Sequence, residues 1–244
     1  MHIEIYSTHN QVTDNILNGK NVIIIDVLRA TSVVATALNN GALKVMTSSS
    51  IEEAFAKKEK DPSLILGGER NAKKIKGFDF GNSPLEYTSE NIAKKSILLC
   101  TTNGTQAVNK AKGAKVLIAA SFLNIEAVVE FLQNLNEDFS IICSGTNDNF
   151  SLDDGLCAGL LLHELREKTT VSTNDLGELI VMPFKNDTFS LIDLIQSAYH
   201  LKYLISMGYS KDVDYCLDIN RLKIIPIWKK DGFIVLKEYH QFYQ

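Results

Sequence analysis

Short apolar runs of four to six residues alternate along the chain with segments whose apolar residues recur at helical spacing. Near-continuous apolar strands are typical of a sheet covered on both faces, and the alternation favours βα units. Strands are predicted at residues 1–10, 21–27, 43–48, 63–68, 95–101, 114–121 and 139–145. Helices are predicted at residues 30–40, 50–60, 104–112, 124–135 and 152–168.

The pattern changes after about Thr170. A short strand is predicted at 177–183, a long helix at 187–207 and a further helix at 210–218. Two apolar runs, 222–228 and 232–239, flank Asp231-Gly232, which is a hairpin signal. The fold class is therefore predicted as α/β, with a mixed sheet system covered by helices.

No linker rich in Pro, Gly or Ser divides the 244 residues. We therefore expect one domain over residues 1–244, with a subdivision near residue 170 and two interlocked lobes as the alternative. The apolar tail strands are compatible with a homodimer.

Composition narrows the class of protein. Hydrophobic residues make up 45% of the chain and charged residues 22%, as in ordinary globular proteins. The net charge of −4 argues against nucleic acid as a partner. No apolar run approaches the roughly 20 residues that span a bilayer, so no membrane partner is expected. The N-terminus lacks the features of a signal peptide, which indicates a cytoplasmic protein.

The four cysteines, Cys100, Cys143, Cys157 and Cys216, form no CxxC pair. A structural zinc site is therefore not expected, and the thiols are predicted to be reduced and mostly packed in the core.

Four strand-to-helix turns are unusually polar: "DVLRATS" (26–32), "GGERNAKKIKGFDFGNSP" (67–84), "CTTNGT" (100–105) and "SGTNDNFSLDDG" (144–155). Taken singly, each has an ordinary explanation: a capped helix with an Asp26–Arg29 ion pair, a long surface loop, a tight Asn-Gly turn, or acids that favour a helix dipole. Ligands of open α/β sheets, however, bind beyond the carboxyl ends of strands, at the starts of helices.

Together these turns indicate a composite anion site. Three of them supply carboxylates, and two of the four arginines in the chain, Arg29 and Arg70, lie in them. Converging carboxylates need a cation, and hard oxygen ligands without nearby His or Cys favour Mg²⁺. Arginines bind anionic groups, so the expected ligand is a small phosphate ester. The P-loop, cysteine-phosphatase and Asp-x-Asp patterns are all absent.

At these residues the chain resembles the ComB-type 2-phosphosulfolactate phosphatases. The motifs "DVLRATS", "GER…GFDFGNSP", "TTNGT" and "GTNDNFSLDDGLCAG" match in order and at similar spacing, and the late "IIP…DG" also fits. The resemblance implies the family's own α/β fold and a magnesium-dependent phosphoric monoester hydrolase. Its implied reaction converts (R)-2-phospho-3-sulfolactate to 3-sulfolactate and phosphate, towards coenzyme M biosynthesis.

Roles are assigned by position as a hypothesis. Asp26, Glu69 and Asp154 are the candidate Mg²⁺ ligands or the base that activates water, and Asp153 is a candidate for supporting these ligands without binding the metal itself. For Asp26, three roles stay open: metal ligand, nucleophile that attacks phosphorus, or base. Arg29 and Arg70 are expected to bind phosphate and sulfonate. The remaining candidates would line the anion-binding turns: Thr31, Ser32, Thr101, Thr102, Asn103, Gly104 and Thr105.

Two histidines on predicted helices, His163 and His200, are interpreted as packed or surface residues. Two other function classes stay open: a non-catalytic sensor of an anionic metabolite and a sugar-phosphate isomerase.

Overall fold

The structure is a computed structural model and describes residues 1–13, 15–185 and 190–236. Within these ranges, eleven strands form one mixed sheet. The strands are β1 (His2–Tyr6), β2 (Asn21–Ile25), β3 (Lys44–Thr47), β4 (Ile65–Arg70), β5 (Lys73–Lys74), β6 (Ser96–Cys100), β7 (Val116–Ala120), β8 (Phe139–Cys143), β9 (Ser172–Thr173), β10 (Pro226–Lys229) and β11 (Gly232–Val235).

The helices of the described residues cover both faces of this sheet. They are α1 (Ala30–Asn39), α2 (Ile51–Lys60), α3 (Ser89–Ile92), α4 (Gly104–Lys110), α5 (Ile125–Leu135), α6 (Leu152–Arg166), α7 (Asp175–Val181), α8 (Leu191–Ile195), α9 (Tyr199–Ser206) and α10 (Ser210–Cys216). The predicted fold class, α/β with a mixed sheet, is confirmed.

The sheet consists of two parallel groups joined by an antiparallel hairpin. Its strand order is β5-β4-β6-β3-β11-β10-β7-β2-β8-β1-β9. β4, β6 and β3 are parallel to one another, as are β7, β2, β8, β1 and β9. The predicted hairpin β10–β11 lies between them and pairs antiparallel with β7 and with β3.

This arrangement makes the two parallel groups run in opposite directions, so in a flat sheet their carboxyl ends would lie at opposite edges. Five neighbouring-strand steps separate β6 from β2. At about 20–25° per step, twist alone rotates these strands by roughly 110°. A Cβ built on Gly104, just after β6, would lie 2.7 Å from Asp26 Oδ2, just after β2. The sheet therefore twists and curls until the two carboxyl ends meet.

Strand β2 shows how the core fixes this layout. All five of its residues are buried. Val22 and Ile24 belong to one hydrophobic cluster, with α1 and α4. Ile23 and Ile25 point to the other face and pack with α5 and α6. Burial on both faces explains the near-continuous apolar sequence.

Two expectations for the tail are wrong. Residues 177–183 are not a strand, because α7 begins at Asp175 behind the Asn174 side chain, which accepts a hydrogen bond from the Gly177 N–H (3.1 Å). A short apolar run does not by itself separate strand from helix.

The predicted long helix is interrupted. α8 and α9 are separate, and Ala198 between them has a non-helical ψ of 129° and is 1% exposed. This break lets Ile195, Ala198 and Leu201 all enter the core. Residues 187–189 of the predicted helix lie outside the described residues, as do residues 237–239 of the last predicted strand.

All four cysteines are buried free thiols, as predicted. Over the described ranges, no helix is both long and apolar enough to cross a membrane.

Candidate active site

The turn from β2 into α1 presents the Asp26 carboxylate. The Ala30 N–H donates to Asp26 Oδ1 (3.1 Å). The Thr31 hydroxyl accepts from the Asp26 N–H (3.0 Å) and donates to the Asp26 carbonyl (2.8 Å), while Ser32 Oγ donates to the Val27 carbonyl (2.8 Å). The structure therefore does not place Thr31 and Ser32 in an anion-binding turn, because both hydroxyls are used to shape the chain around Asp26.

A pocket of about 220 Å³ opens beside Asp26. It gathers residues from the ends of β2, β4 and β6, as the sequence predicted. Six of the predicted site residues line it: Asp26, Arg29, Glu69, Thr101, Thr102 and Asn103. It also takes in residues to which the sequence hypothesis gave no role in the site, among them Asn71, Asn82, Thr146, Asn147, Tyr199, His200 and Tyr203.

Glu69 joins β4 to the turn after β6. Its Oε1 accepts hydrogen bonds from both the N–H and the hydroxyl of Thr102 (2.9 Å each). Its Oε2 accepts from the Ala72 N–H (3.0 Å). With three donors around it, the Glu69 carboxylate fixes the position of the turn that contains Thr101, Thr102 and Asn103.

The next two residues of that turn contribute differently. The Thr105 hydroxyl accepts from the Thr101 N–H (3.1 Å), so it closes the start of α4 instead of lining the pocket. A side chain on Gly104 would meet Asp26 Oδ2 at 2.7 Å and Ala30 Cβ at 2.6 Å. Glycine at position 104 is therefore what allows β2 and β6 to approach.

Arg29 is buried, with 2% of its surface exposed. Its Nη1 donates to Asp212 on α10, and its Nη2 donates to the Ala72 carbonyl (3.3 Å). Its guanidinium also lies 4.2 Å from the centre of the Tyr209 ring. Its ion-pair partner is therefore Asp212, not Asp26.

Arg70 does not line the pocket. Neighbouring residues of a strand point to opposite faces, and Arg70 follows Glu69 within β4. Its guanidinium donates to the Glu69 carbonyl (2.7 Å) and to Cys100 Sγ (3.2 Å). The structure thus separates Arg70 from the expected phosphate site.

Asp153 and Asp154 lie in the first turn of α6 and differ in how many of their carboxylate oxygens have hydrogen-bond partners. Asp154 Oδ1 accepts from the Val27 N–H (2.9 Å) and its Oδ2 from the Gly145 N–H (3.0 Å), so this carboxylate ties β2 to the end of β8. Asp153 Oδ1 accepts from Ser151 Oγ (2.6 Å), but its buried Oδ2 has no hydrogen-bond partner. The oxygen that is free for a ligand belongs to Asp153, whereas the sequence hypothesis favoured Asp154.

The family model for 2-phosphosulpholactate phosphatase matches residues 6–231. This chain belongs to the 2-phosphosulfolactate phosphatase family. Family membership makes it a phosphoric monoester hydrolase and confirms the resemblance seen in the sequence motifs.

Three relatives, each named "probable 2-phosphosulfolactate phosphatase", are similar over nearly their whole length. The protein of Caldanaerobacter subterraneus subsp. tengcongensis is 40% identical over 228 residues, covering 93% of this chain and 95% of the relative. The protein of Thermotoga petrophila is 43% identical over 223 residues, covering 90% and 93%. That of Clostridium botulinum strain Eklund 17B is 37% identical over 239 residues, covering 97% and 100%.

In this phosphatase, the carboxylates at the pocket repel one another. Burial raises the pKa of Asp26 to about 7, and the negative charges of Asp153 and Glu69 add to the rise. The N–H groups of Ala30 and Gly104 act in the opposite direction. Burial also raises the pKa of Asp154 well above its ordinary value, with Asp153 and Asp26 adding to the effect. A cation between Asp26 and Asp153 would relieve this repulsion.

The expected set of three metal ligands is not assembled. Over residues 1–13, 15–185 and 190–236, no three His, Cys, Asp or Glu side chains form a group that could hold a metal ion. Mg²⁺ commonly uses only one or two carboxylates, completed by water and substrate phosphate. The donor chemistry fits such a site, because Asp26 lines the pocket and Asp153, whose charge acts on Asp26, has an oxygen without a hydrogen bond.

His200 on α9 is a pocket residue that the sequence hypothesis had set aside. Its Nδ1 lies 3.1 Å from Thr146 Oγ1 and 4.0 Å from Asp153 Oδ2. Burial lowers the pKa of His200, and Arg29 acts in the same direction, against Asp153 and Glu69. No local sequence signal marks it, because only tertiary packing brings α9 to the strand ends. His163, by contrast, stacks on Phe184.

Proposed function

We propose that this enzyme is a Mg²⁺-dependent phosphatase that hydrolyses (R)-2-phospho-3-sulfolactate to 3-sulfolactate and phosphate, the reaction type of coenzyme M biosynthesis. The observation that carries the proposal is the Asp26 carboxylate at the wall of a polar pocket, with the buried Asp153 carboxylate near enough to raise its pKa and with one Asp153 oxygen unpartnered. Such a pair is costly unless a cation and an anionic ligand occupy the site together.

Asp26 and Asp153 would hold the metal, with Glu69 keeping the Thr102 turn in place beside them. Bound there, Mg²⁺ would neutralise charge on the phosphoryl oxygens and lower the pKa of the attacking water. The hydroxyls of Thr101 and Thr102 and the amide of Asn103 would orient the phosphoryl group, since all three residues line the pocket. Orientation and charge stabilisation supply most of the acceleration in phosphoryl transfer.

The test is release of inorganic phosphate from (R)-2-phospho-3-sulfolactate and from simple 2-phospho acids. We expect turnover with added Mg²⁺, loss in EDTA and recovery when Mg²⁺ is restored. Asp153→Asn should shift the Mg²⁺ dependence to higher concentration. Glu59→Gln, on the exposed face of α2, is the matched control.

Each alternative predicts a different result. A sensor of an anionic metabolite would bind the phospho acids without turnover, and a sugar-phosphate isomerase would transform its substrate without releasing phosphate. Full activity in EDTA would contradict the metal dependence.

A further inference from the structure

Asn82 is a buried polar residue of the pocket without a partner. It lies in the loop between β5 and a 3₁₀ turn at Pro84–Glu86, and only 7% of its surface is exposed. Its Oδ1 is buried without a hydrogen bond, whereas its side-chain nitrogen is not among the buried unpartnered atoms and makes no hydrogen bond to a described residue. Because the oxygen can only accept, the group that Asn82 offers to an anionic ligand at this pocket wall is its amide N–H.

The residues on either side of Asn82 hold it in place. The Gly81 carbonyl accepts hydrogen bonds from the Tyr87 hydroxyl (2.7 Å) and from the Gly68 N–H (3.1 Å). On the other side, Ser83 Oγ donates to Asp212 Oδ1 (2.7 Å). Asn82 is thus fixed from both flanks, although its own side chain makes no bond. Preorganised groups of this kind lose little entropy when they bind.

The contact between Ser83 and Asp212 also relates Asn82 to Arg29. Asp212 accepts from both Ser83 and Arg29, so one carboxylate connects the loop to the guanidinium. Both Arg29 and Asn82 line the pocket.

Near Asn82, the positive charge of Arg29 is balanced by the negative charge of Asp212. Arg29 Nη1 donates to Asp212, and Nη2 donates to the Ala72 carbonyl. Each terminal nitrogen of Arg29 already donates one hydrogen bond, and its charge is paired with Asp212, which weakens it as a partner for a phosphate dianion. A balanced ion pair with a neutral amide donor suits a singly charged oxyanion better than a dianion.

We propose that Asn82 donates a hydrogen bond to the anionic group of the substrate that is not transferred, a sulfonate or a carboxylate, and so determines substrate specificity. This inference rests on the proposed function, which supplies a substrate with such a group beside its phosphate. The phosphoryl group itself would lie against Asp26 and the Thr102 turn.

The experiment compares kcat/KM for three phosphate esters. The first is (R)-2-phospho-3-sulfolactate, the second is 2-phospholactate, which lacks the sulfonate, and the third is 1-sulfopropan-2-yl phosphate, which lacks the carboxylate. A hydrogen bond to a charged group contributes enough for a loss of roughly 10- to 100-fold. Asn82→Ala should therefore lower kcat/KM by that factor for the full substrate and for only one of the two truncated esters. The ester that escapes the loss lacks the group that Asn82 recognises.

Two further variants sharpen the result. Asn82→Asp keeps the shape of the side chain but replaces the donor nitrogen by an oxygen and places a negative charge against the anion, so it should lose at least as much as Asn82→Ala. Retained or increased activity in Asn82→Asp would overturn the proposal, since it would mean that Asn82 supplies an oxygen ligand. Asn39→Ala, at the exposed end of α1, should leave all three kcat/KM values unchanged.

An equal loss for all three esters in Asn82→Ala would also overturn the proposal, as would no loss at all. Binding of the product 3-sulfolactate, measured by calorimetry, gives a readout that needs no turnover. If the wild-type protein releases no phosphate, the proposed function fails. If it turns over the esters but Asn82→Ala binds 3-sulfolactate with unchanged affinity, only the present inference fails.

Discussion

Replacing Asp26 by Asn should abolish activity and at the same time stabilise the metal-free protein. Asn keeps the size of the side chain and the oxygen that accepts from the Ala30 N–H. It removes the negative charge that the proposed Mg²⁺ site requires. We expect phosphate release to fall by at least about 10³-fold while the protein stays folded.

The stabilisation follows from the pKa of Asp26, which burial raises from 3.8 to about 7. In the unfolded chain this carboxyl ionises near pH 4, so between about pH 4 and 7 the folded state holds the extra proton. The stability of the wild-type protein therefore falls as pH rises through this window, and the loss is complete above about pH 7. A shift of that size corresponds to about 4 kcal/mol.

Part of this gain is lost in the variant, because the Asn nitrogen cannot accept from the Gly104 N–H, which favours the ionised form of Asp26. That loss is about 1–1.5 kcal/mol, which leaves a net gain of about 2–3 kcal/mol at pH 8. For a protein of this size the corresponding rise in Tm is roughly 4–12 °C.

The assay is urea unfolding followed by circular dichroism at pH 5 and pH 8, with EDTA present. The gain should be large at pH 8 and small at pH 5, and Glu59→Gln on α2 should show neither effect. Near-wild-type phosphatase activity would refute the role of Asp26 in the site. An unchanged or lower stability of Asp26→Asn at pH 8 would refute the electrostatic reasoning.

Three other substitutions test the assignment of the remaining residues. Asp154→Asn should lower stability by about 1–3 kcal/mol when thermal unfolding is measured near pH 4, because an amide keeps only one of the two oxygens that accept from the Val27 and Gly145 N–H groups. The low pH matters because burial raises the pKa of Asp154, so little charge is removed there. Unchanged stability would contradict a structural role of these two hydrogen bonds. Arg70→Gln should leave KM within about twofold of the wild-type value, because Arg70 lies outside the pocket. A tenfold rise in KM would show that Arg70 binds substrate. Gly104→Ala should reduce kcat by a factor on the order of 10², because the new methyl group must displace the Asp26 carboxylate. An unchanged kcat would show that catalysis does not require the close approach of β6 to β2.

The sequence predicted well what depends on neighbouring residues. Strand β2 could be identified because it is apolar throughout, and α1 because its apolar residues recur at helical spacing. The polar turns after β2 and β6 were found because ligand sites of α/β sheets lie at strand ends. Asp26, Glu69 and Thr102 accordingly lie at one pocket.

What the sequence could not predict depends on distant contacts. Asp212 and His200 reach the site only through tertiary packing, and nothing in their local sequence distinguishes them. Asn82 lies in the polar turn 67–84, but the sequence did not separate it from the other residues of that turn. The direction of Arg70 could have been inferred had strand β4 been extended through residue 70, because it must point away from Glu69. The single domain, the homodimer and the cytoplasmic location stay predictions.

The hairpin β10–β11 sets an order of events during synthesis on the ribosome. β3 ends at Thr47 and β7 at Ala120, but the strands that join their two groups begin only at Pro226. Until those residues leave the ribosome, the parallel strand group that ends in Glu69 and the one that ends in Asp26 cannot join into one sheet. Pairing over such long sequence distances is slow. The residues that carry the chemistry are thus made early, while their alignment with one another is among the last events of folding.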